Sequence, residues 1–246
     1  MKACAPLAIA ALLAGPAARA GAPATDLASA VAPSDRATAG RASPDSSYTY
    51  AIGPFQPSFT PPEPGSYELP AIQSIGDHDL VDATGRATTL ARVLGRRLAV
   101  VSFVYASCTE SAGCPMSTAV LHALDRRVAA DPGLARDVTL VTISFDPARD
   151  TPDRLAAMQK MRAEGSSWQF ATAADDASLR TLLADFGQDV TLLRNPDGSP
   201  SGKFRHVLKV YLLDRSRRVR NIYSVGYLSP DLVMADLQTL RMLPEH

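Results

Sequence analysis

Residues 107–115 read SCTESAGCP, two cysteines separated by five residues and followed at once by a proline. Thiols in such a pair close a structural disulfide, exchange electrons with another protein's disulfide, or hold a soft metal ion as thiolates. A bridge across so short a loop would sit at the low end of the roughly 2–4 kcal/mol typical of disulfides. A chain of 246 residues buries a core large enough to do without it. Gly113 gives the loop freedom to bring both sulfurs together, and that freedom serves a disulfide and a shared metal equally.

The elements on either side decide where the pair sits. Residues 98–105, LAVVSFVY, form a near-continuous apolar run suited to a buried central strand. Pro115 has the fixed φ that favours a first helical turn, and Met116, Val120, Leu124 and Val128 repeat every four residues as an apolar stripe. The cysteines therefore lie between a strand end and a helix start, where unpaired N–H groups and the helix dipole favour a thiolate.

Further elements follow in order. A small hairpin is expected over 79–86 and a second buried strand over 138–145. Thr151-Pro152-Asp153 supplies cap, proline and acid for a helix to about 163. A short strand at 168–170, a helix over 176–186 and a turn at 195–198 come next. Two strands, 206–214 and 219–225, flank the polar turn 215–218, and a last helix covers 229–242. This succession describes one α/β domain with a mixed central sheet flanked by helices, in the order of a thioredoxin-like fold.

Residues 1–20 join Lys2 to an apolar run and an Ala-Arg-Ala cleavage pattern, which reads as a secretory signal peptide that takes Cys4 with it. The run is shorter than the roughly 20 apolar residues of a membrane span; left uncleaved, it would be the route to membrane association. Residues 21–65, rich in Ala, Pro and Ser, read as a mobile linker, with Tyr48, Tyr50, Phe55 and Phe59 suited to pin its later half to the domain at 66–246. Export places the thiols in a periplasmic or equivalent oxidising compartment. Lys and Arg total 25, as do Asp and Glu, so no basic excess points to a nucleic acid as partner.

Residues 76–242 resemble the Sco/SenC family of thioredoxin-fold copper proteins that help assemble the dinuclear copper centre of cytochrome c oxidase. The resemblance rests on four segments: VVSFVYASC…CP; DPARDTPDRL from Asp146, which is similar to the signature D-P-x-x-D-T-P-x-x-L; Trp168-Gln169-Phe170; and His206 standing eight residues before Asp214. The family's cysteines usually enclose three residues, whereas these enclose five, a difference that bears first on metal affinity and redox potential.

The resemblance implies Cys108, Cys114 and His206 as metal ligands and Asp146 as an acid near the metal. Two thiolates and an imidazole suit Cu(I), and hold Cu(II) when another donor or water joins. Zinc would want a fourth protein ligand. The implied role is delivery of copper to an apo-cuproprotein such as an oxidase copper subunit. The alternative is a thiol–disulfide oxidoreductase in which Cys108 attacks a partner's disulfide and Cys114 resolves the mixed intermediate. A peroxidase is disfavoured, since no Thr-x-x-Cys arrangement leads to Cys108, and a binding module held by an inert disulfide is the bland reading. His122 is expected on a solvated helix face, His78 in a loop and His246 at the terminus. Met116 and Met158 read as core, and Asp150 and Thr151 as caps.

Overall fold

The computed structural model describes residues 59–108 and 113–243, all within the unit spanning Thr49–His246. The signal segment, the linker to residue 58 with Tyr48, Tyr50 and Phe55, loop residues 109–112 and His246 lie outside the described residues. No helix among the described residues is long and apolar enough to cross a membrane.

At the centre, β4 (Leu98–Val104) and β5 (Val138–Ser144) run parallel in the register Leu98↔Val138 to Val104↔Ser144, with every residue of both strands buried. Their apolar content follows from having both faces covered. Side chains alternate across the sheet. Leu98, Val100, Val138 and Leu140 meet Val120, Leu121 and Leu124 of α2 (Cys114–Ala130) and Val233 and Leu237 of α6 (Pro230–Met242). On the other face Val101, Phe103, Val141 and Ile143 pack against Leu90 and Leu94 of α1 (Leu90–Leu94) and Leu182 and Leu183 of α5 (Asp176–Asp185).

The remaining strands complete a mixed eight-stranded sheet. Parallel to β5 runs β6 (Gln169–Ala173), followed outward by the hairpin of β2 (Asp79–Asp82) and β3 (Ala87–Thr89). Beyond β4 lie β9 (Val210–Leu213), β10 (Arg218–Tyr223) and the two-residue β1 (Gln73–Ser74), all antiparallel to their neighbours. Two short helices complete the order: α3 (Pro132–Asp137), capped by the Asp131 carboxylate, and α4 (Pro152–Gln159). The helix expected to reach residue 163 ends earlier, where the Ala163 N–H is diverted to the Asp125 carboxylate at 2.6 Å.

One expectation about the strands is corrected. Residues 206–214 are not one strand. His206 is the last residue of β8 (Pro200–His206), which pairs with β7 (Val190–Arg194) in a separate two-stranded hairpin, while the main sheet regains the chain only at Val210. Residues 207–209 carry the chain between the two sheets: Gln188 donates to the Val207 carbonyl at 2.9 Å and Lys209 Nζ to the Gly187 carbonyl at 2.6 Å. The expected turn at 195–198 is the tip of this hairpin, with Gly198 at φ +84°. Of the linker aromatics, Phe59 is described, and its ring lies 5.8 Å from that of Tyr227.

Candidate metal centre

Strand directions bring the key groups to one edge. The chain leaves the carboxyl end of β4 through Tyr105 to Cys108, and α2 then begins with Cys114 and Pro115. Because β9 is antiparallel to β4, with Val210 opposite Ser102, the segment entering β9 passes the same edge. Hairpin β7–β8 thus delivers His206 to the cysteines. The Sγ atoms of Cys108 and Cys114 and a ring nitrogen of His206 all lie within 4.8 Å of one another, and Cys114 Sγ is 3.9 Å from His206 Nε2. Both thiols are free, Cys114 buried and Cys108 partly exposed.

The donor set fits a soft monovalent cation: two sulfurs and an imidazole at the spacing of a shared metal, with no fourth His, Cys, Asp or Glu in the cluster among the described residues. Aromatic rings wall it. The His206 ring lies 5.0 Å from Phe145 and 6.2 Å from Tyr105, and Tyr105 meets Phe204 at 5.1 Å. Such walls exclude water and favour thiolates paired with a metal cation over unpaired thiolate charges.

The thiolate expectation fails for Cys114. Burial pushes its thiol up to about 12; a hydrogen bond from the Tyr105 backbone opposes this, and the charge of Cys108 adds to it. Desolvation therefore outweighs the helix N-terminus, whose N-cap residue, Gly113, provides no side-chain cap. A bound cation would supply the missing positive charge and displace the proton. The Tyr105 hydroxyl is also pushed up to about 12, by burial first and then by its hydrogen bond to Cys108, so it remains a donor to that sulfur.

Asp146 is not one of the three clustered ligand residues. It is 5% exposed, and its Oδ2 lies 2.5 Å from Arg149 Nε. Burial raises its pKa, and the Arg149 hydrogen bond and charge oppose that rise. Asp150 is fully buried and accepts the Ala106 N–H at 2.9 Å and the Ser144 hydroxyl at 2.6 Å, tying the cysteine loop to β5. The residue expected to be a helix cap is therefore a buried acceptor.

The other histidines lie elsewhere. His122 is not on a solvated face: it is half-buried, 4.8 Å from the Trp168 ring, and desolvation lowers its pKa. His78 bonds Asp185 at 2.7 Å. Met116 and Met158 pack against the core as expected. Tyr105, Phe145, Arg149 and Phe204 were not singled out from sequence. A signal existed for Phe204, since it stands two before His206 on a strand and so shares its face.

The fold and this cluster define a thioredoxin-like protein with a dithiol–imidazole centre at the carboxyl edge of its sheet. The chain belongs to the SCO1/SenC family, whose profile matches residues 68–241. Among solved structures it is similar to Arabidopsis thaliana ScoI with copper bound, at 18% identity and TM-score 0.57 over 69% of this chain and 99% of that one. It is also similar to a SCO1/SenC family lipoprotein from Bacillus anthracis str. Ames, at 24% identity and TM-score 0.56 over 69% and 95%. A third is BsSco, described as a member of the Sco family of cytochrome c oxidase assembly proteins with a disulfide switch, at 18% identity and TM-score 0.55 over 71% and 98%. At these identities the likeness establishes the mixed-sheet thioredoxin-like fold. No curated protein matches the chain.

Proposed function

We propose that this protein is an exported copper chaperone that takes copper on Cys108, Cys114 and His206 and passes it by ligand exchange to an apo-cuproprotein. The acceptor class is an oxidase copper subunit, the dinuclear centre of cytochrome c oxidase first among them. The observation that carries the reading is the convergence of two thiols and an imidazole within 4.8 Å from three separate elements. Soft donors favour Cu(I), and three ligands leave a side open to an incoming donor, as ligand exchange requires. Family membership and the copper held by the Arabidopsis relative support the choice of metal. Export rests on the signal-like residues 1–20 and agrees with the description of the Bacillus relative as a lipoprotein.

The test is titration of reduced protein with Cu(I) against a competing chelator. One equivalent bound by wild type, with weaker binding in Cys114→Ser and His206→Ala, is expected. No stoichiometric uptake, or uptake unchanged in both variants, overturns the reading.

The neighbouring free thiols favour a second reading. Cys108 thiolate attacks an acceptor disulfide, forming a mixed disulfide and releasing one acceptor thiolate. Cys114 then attacks Cys108 Sγ and releases the second, so the acceptor gains two electrons and this chain holds the disulfide. A thiol reductant of the compartment restores it. Retained disulfide reduction in His206→Ala separates this activity from copper binding.

A further inference from the structure

We propose that Arg149 is a positioning residue that holds strand β8, and through it His206, against the two cysteines. The consequence for copper rests on the function proposed above; the mechanical claim stands on geometry alone.

His206 lies on a hairpin that forms its own two-stranded sheet, so the ladder of the main sheet does not locate it. Side chains must do so. Along β8 the exposure alternates, with Gly202, Phe204 and His206 turned inward and Lys203 and Arg205 outward. The guanidinium of Arg149 grips that inward face. Its Nη2 donates to the Gly202 carbonyl at 2.7 Å, and its central carbon lies 5.6 Å over the Phe204 ring. Nε donates to Asp146 Oδ2 at 2.5 Å.

Asp146 is itself immobilised at the end of β5. Its backbone N–H bonds the Ser144 hydroxyl at 3.0 Å, and its carbonyl accepts the N–H groups of Arg149 and Asp150 at 3.1 and 2.8 Å. One planar fork thus joins a fixed carboxylate to a strand carbonyl four residues before His206. Lysine, a point donor on a flexible stem, reproduces the charge and not the bridge. Gly202 completes the fit: it has φ +74°, and a Cβ there would collide with Arg149 Nη1. The guanidinium fills the place a side chain would take.

The experiment uses the reduced, metal-free full chain with Arg149→Met, which keeps an apolar stem and removes the guanidinium, Arg149→Lys as the conservative change, and Gly202→Ala as an independent disruption from the hairpin side. The readouts are amide hydrogen exchange over β7 and β8 and the NMR shifts of the His206 ring protons, which lie within the ring currents of Phe145 and Tyr105. Arg149→Met and Gly202→Ala should speed exchange in the hairpin by about tenfold or more while β4 and β5 stay protected, and should move the His206 shifts toward free histidine, with Lys intermediate. In copper(II)-loaded protein the imidazole nitrogen signature should weaken in the same order. Wild-type exchange and His206 shifts in Arg149→Met overturn the proposal. Should Arg149→Met fail to fold, wild-type behaviour in Gly202→Ala overturns it equally. Wild type that binds no copper overturns the proposed function instead, and the metal-free readouts still decide the role of Arg149.

Discussion

Cys114 Sγ and His206 Nε2, 92 positions apart in the chain, lie 3.9 Å from each other. One opens a helix on the main sheet, and the other closes a hairpin outside it. A metal shared between them would therefore bridge two separately built parts of the fold, and its affinity would depend on how firmly both are held.

Loss of the imidazole should split the two copper states. His206→Ala keeps both thiolates, so Cu(I) binding persists with a weakening at least as large as the roughly 10–100-fold typical of losing an outer partner of a metal ligand. Cu(II), which favours nitrogen donors, should be lost. Chelator competition for Cu(I) and electron paramagnetic resonance for Cu(II) measure the split.

Copper affinity should rise with pH. Burial pushes the Cys114 thiol up to about 12, with the Tyr105 backbone hydrogen bond opposing, so at neutral pH the metal must displace its proton. Each proton released steepens the dependence by about tenfold in affinity per pH unit, and acid weakens binding. Chelator competition between pH 6 and 8 should give a smaller slope for Cys114→Ser than for wild type, by about one proton.

Tyr105→Phe removes the hydroxyl that donates to Cys108 and leaves the ring packing in place. Loss of a donor makes the sulfur a stronger electron donor, so the thiolate-to-Cu(II) absorption band should move to longer wavelength. Unfolding free energy should change by no more than about 1.5 kcal/mol, the scale of one hydrogen bond. Absorption spectra and urea unfolding check the pair of outcomes.

Asp150→Ala strips two donors of their shared acceptor, the Ala106 N–H and the Ser144 hydroxyl. The expected loss is about 1–3 kcal/mol, the cost of leaving buried polar groups unpaired. Asp150→Asn, which retains an accepting oxygen, should lose less. A lower urea midpoint with unchanged slope is the expected signature.

The central sheet was legible because it is written in local pattern. Residues 98–105 and 138–145 are largely apolar and broken only by small hydroxyl residues, a content suited to a strand covered on both faces, and the structure puts strands at Leu98–Val104 and Val138–Ser144. Helix starts at Pro115, Pro152 and Pro230 carried the same kind of signal, since a proline is favoured in a first turn whatever surrounds it. The hairpin was not legible beyond its tip. Its strands bury little and show no strong apolar pattern, so the run 206–214 reads as one strand until three-dimensional pairing divides it between two sheets.

The amino-acid sequence by itself marked the cysteine pair between a strand end and a helix start, and the order of the central strands and helices around it, because residue type and short-range periodicity are local properties. Tertiary structure alone decided that the imidazole arrives on a separate hairpin, that Arg149 reaches the Gly202 carbonyl of that hairpin, that His122 packs on Trp168, and that burial of Cys114 outweighs its helix N-terminus. Each of these depends on what lies beside a residue from distant parts of the chain, and desolvation and pairing energies are set by those neighbours.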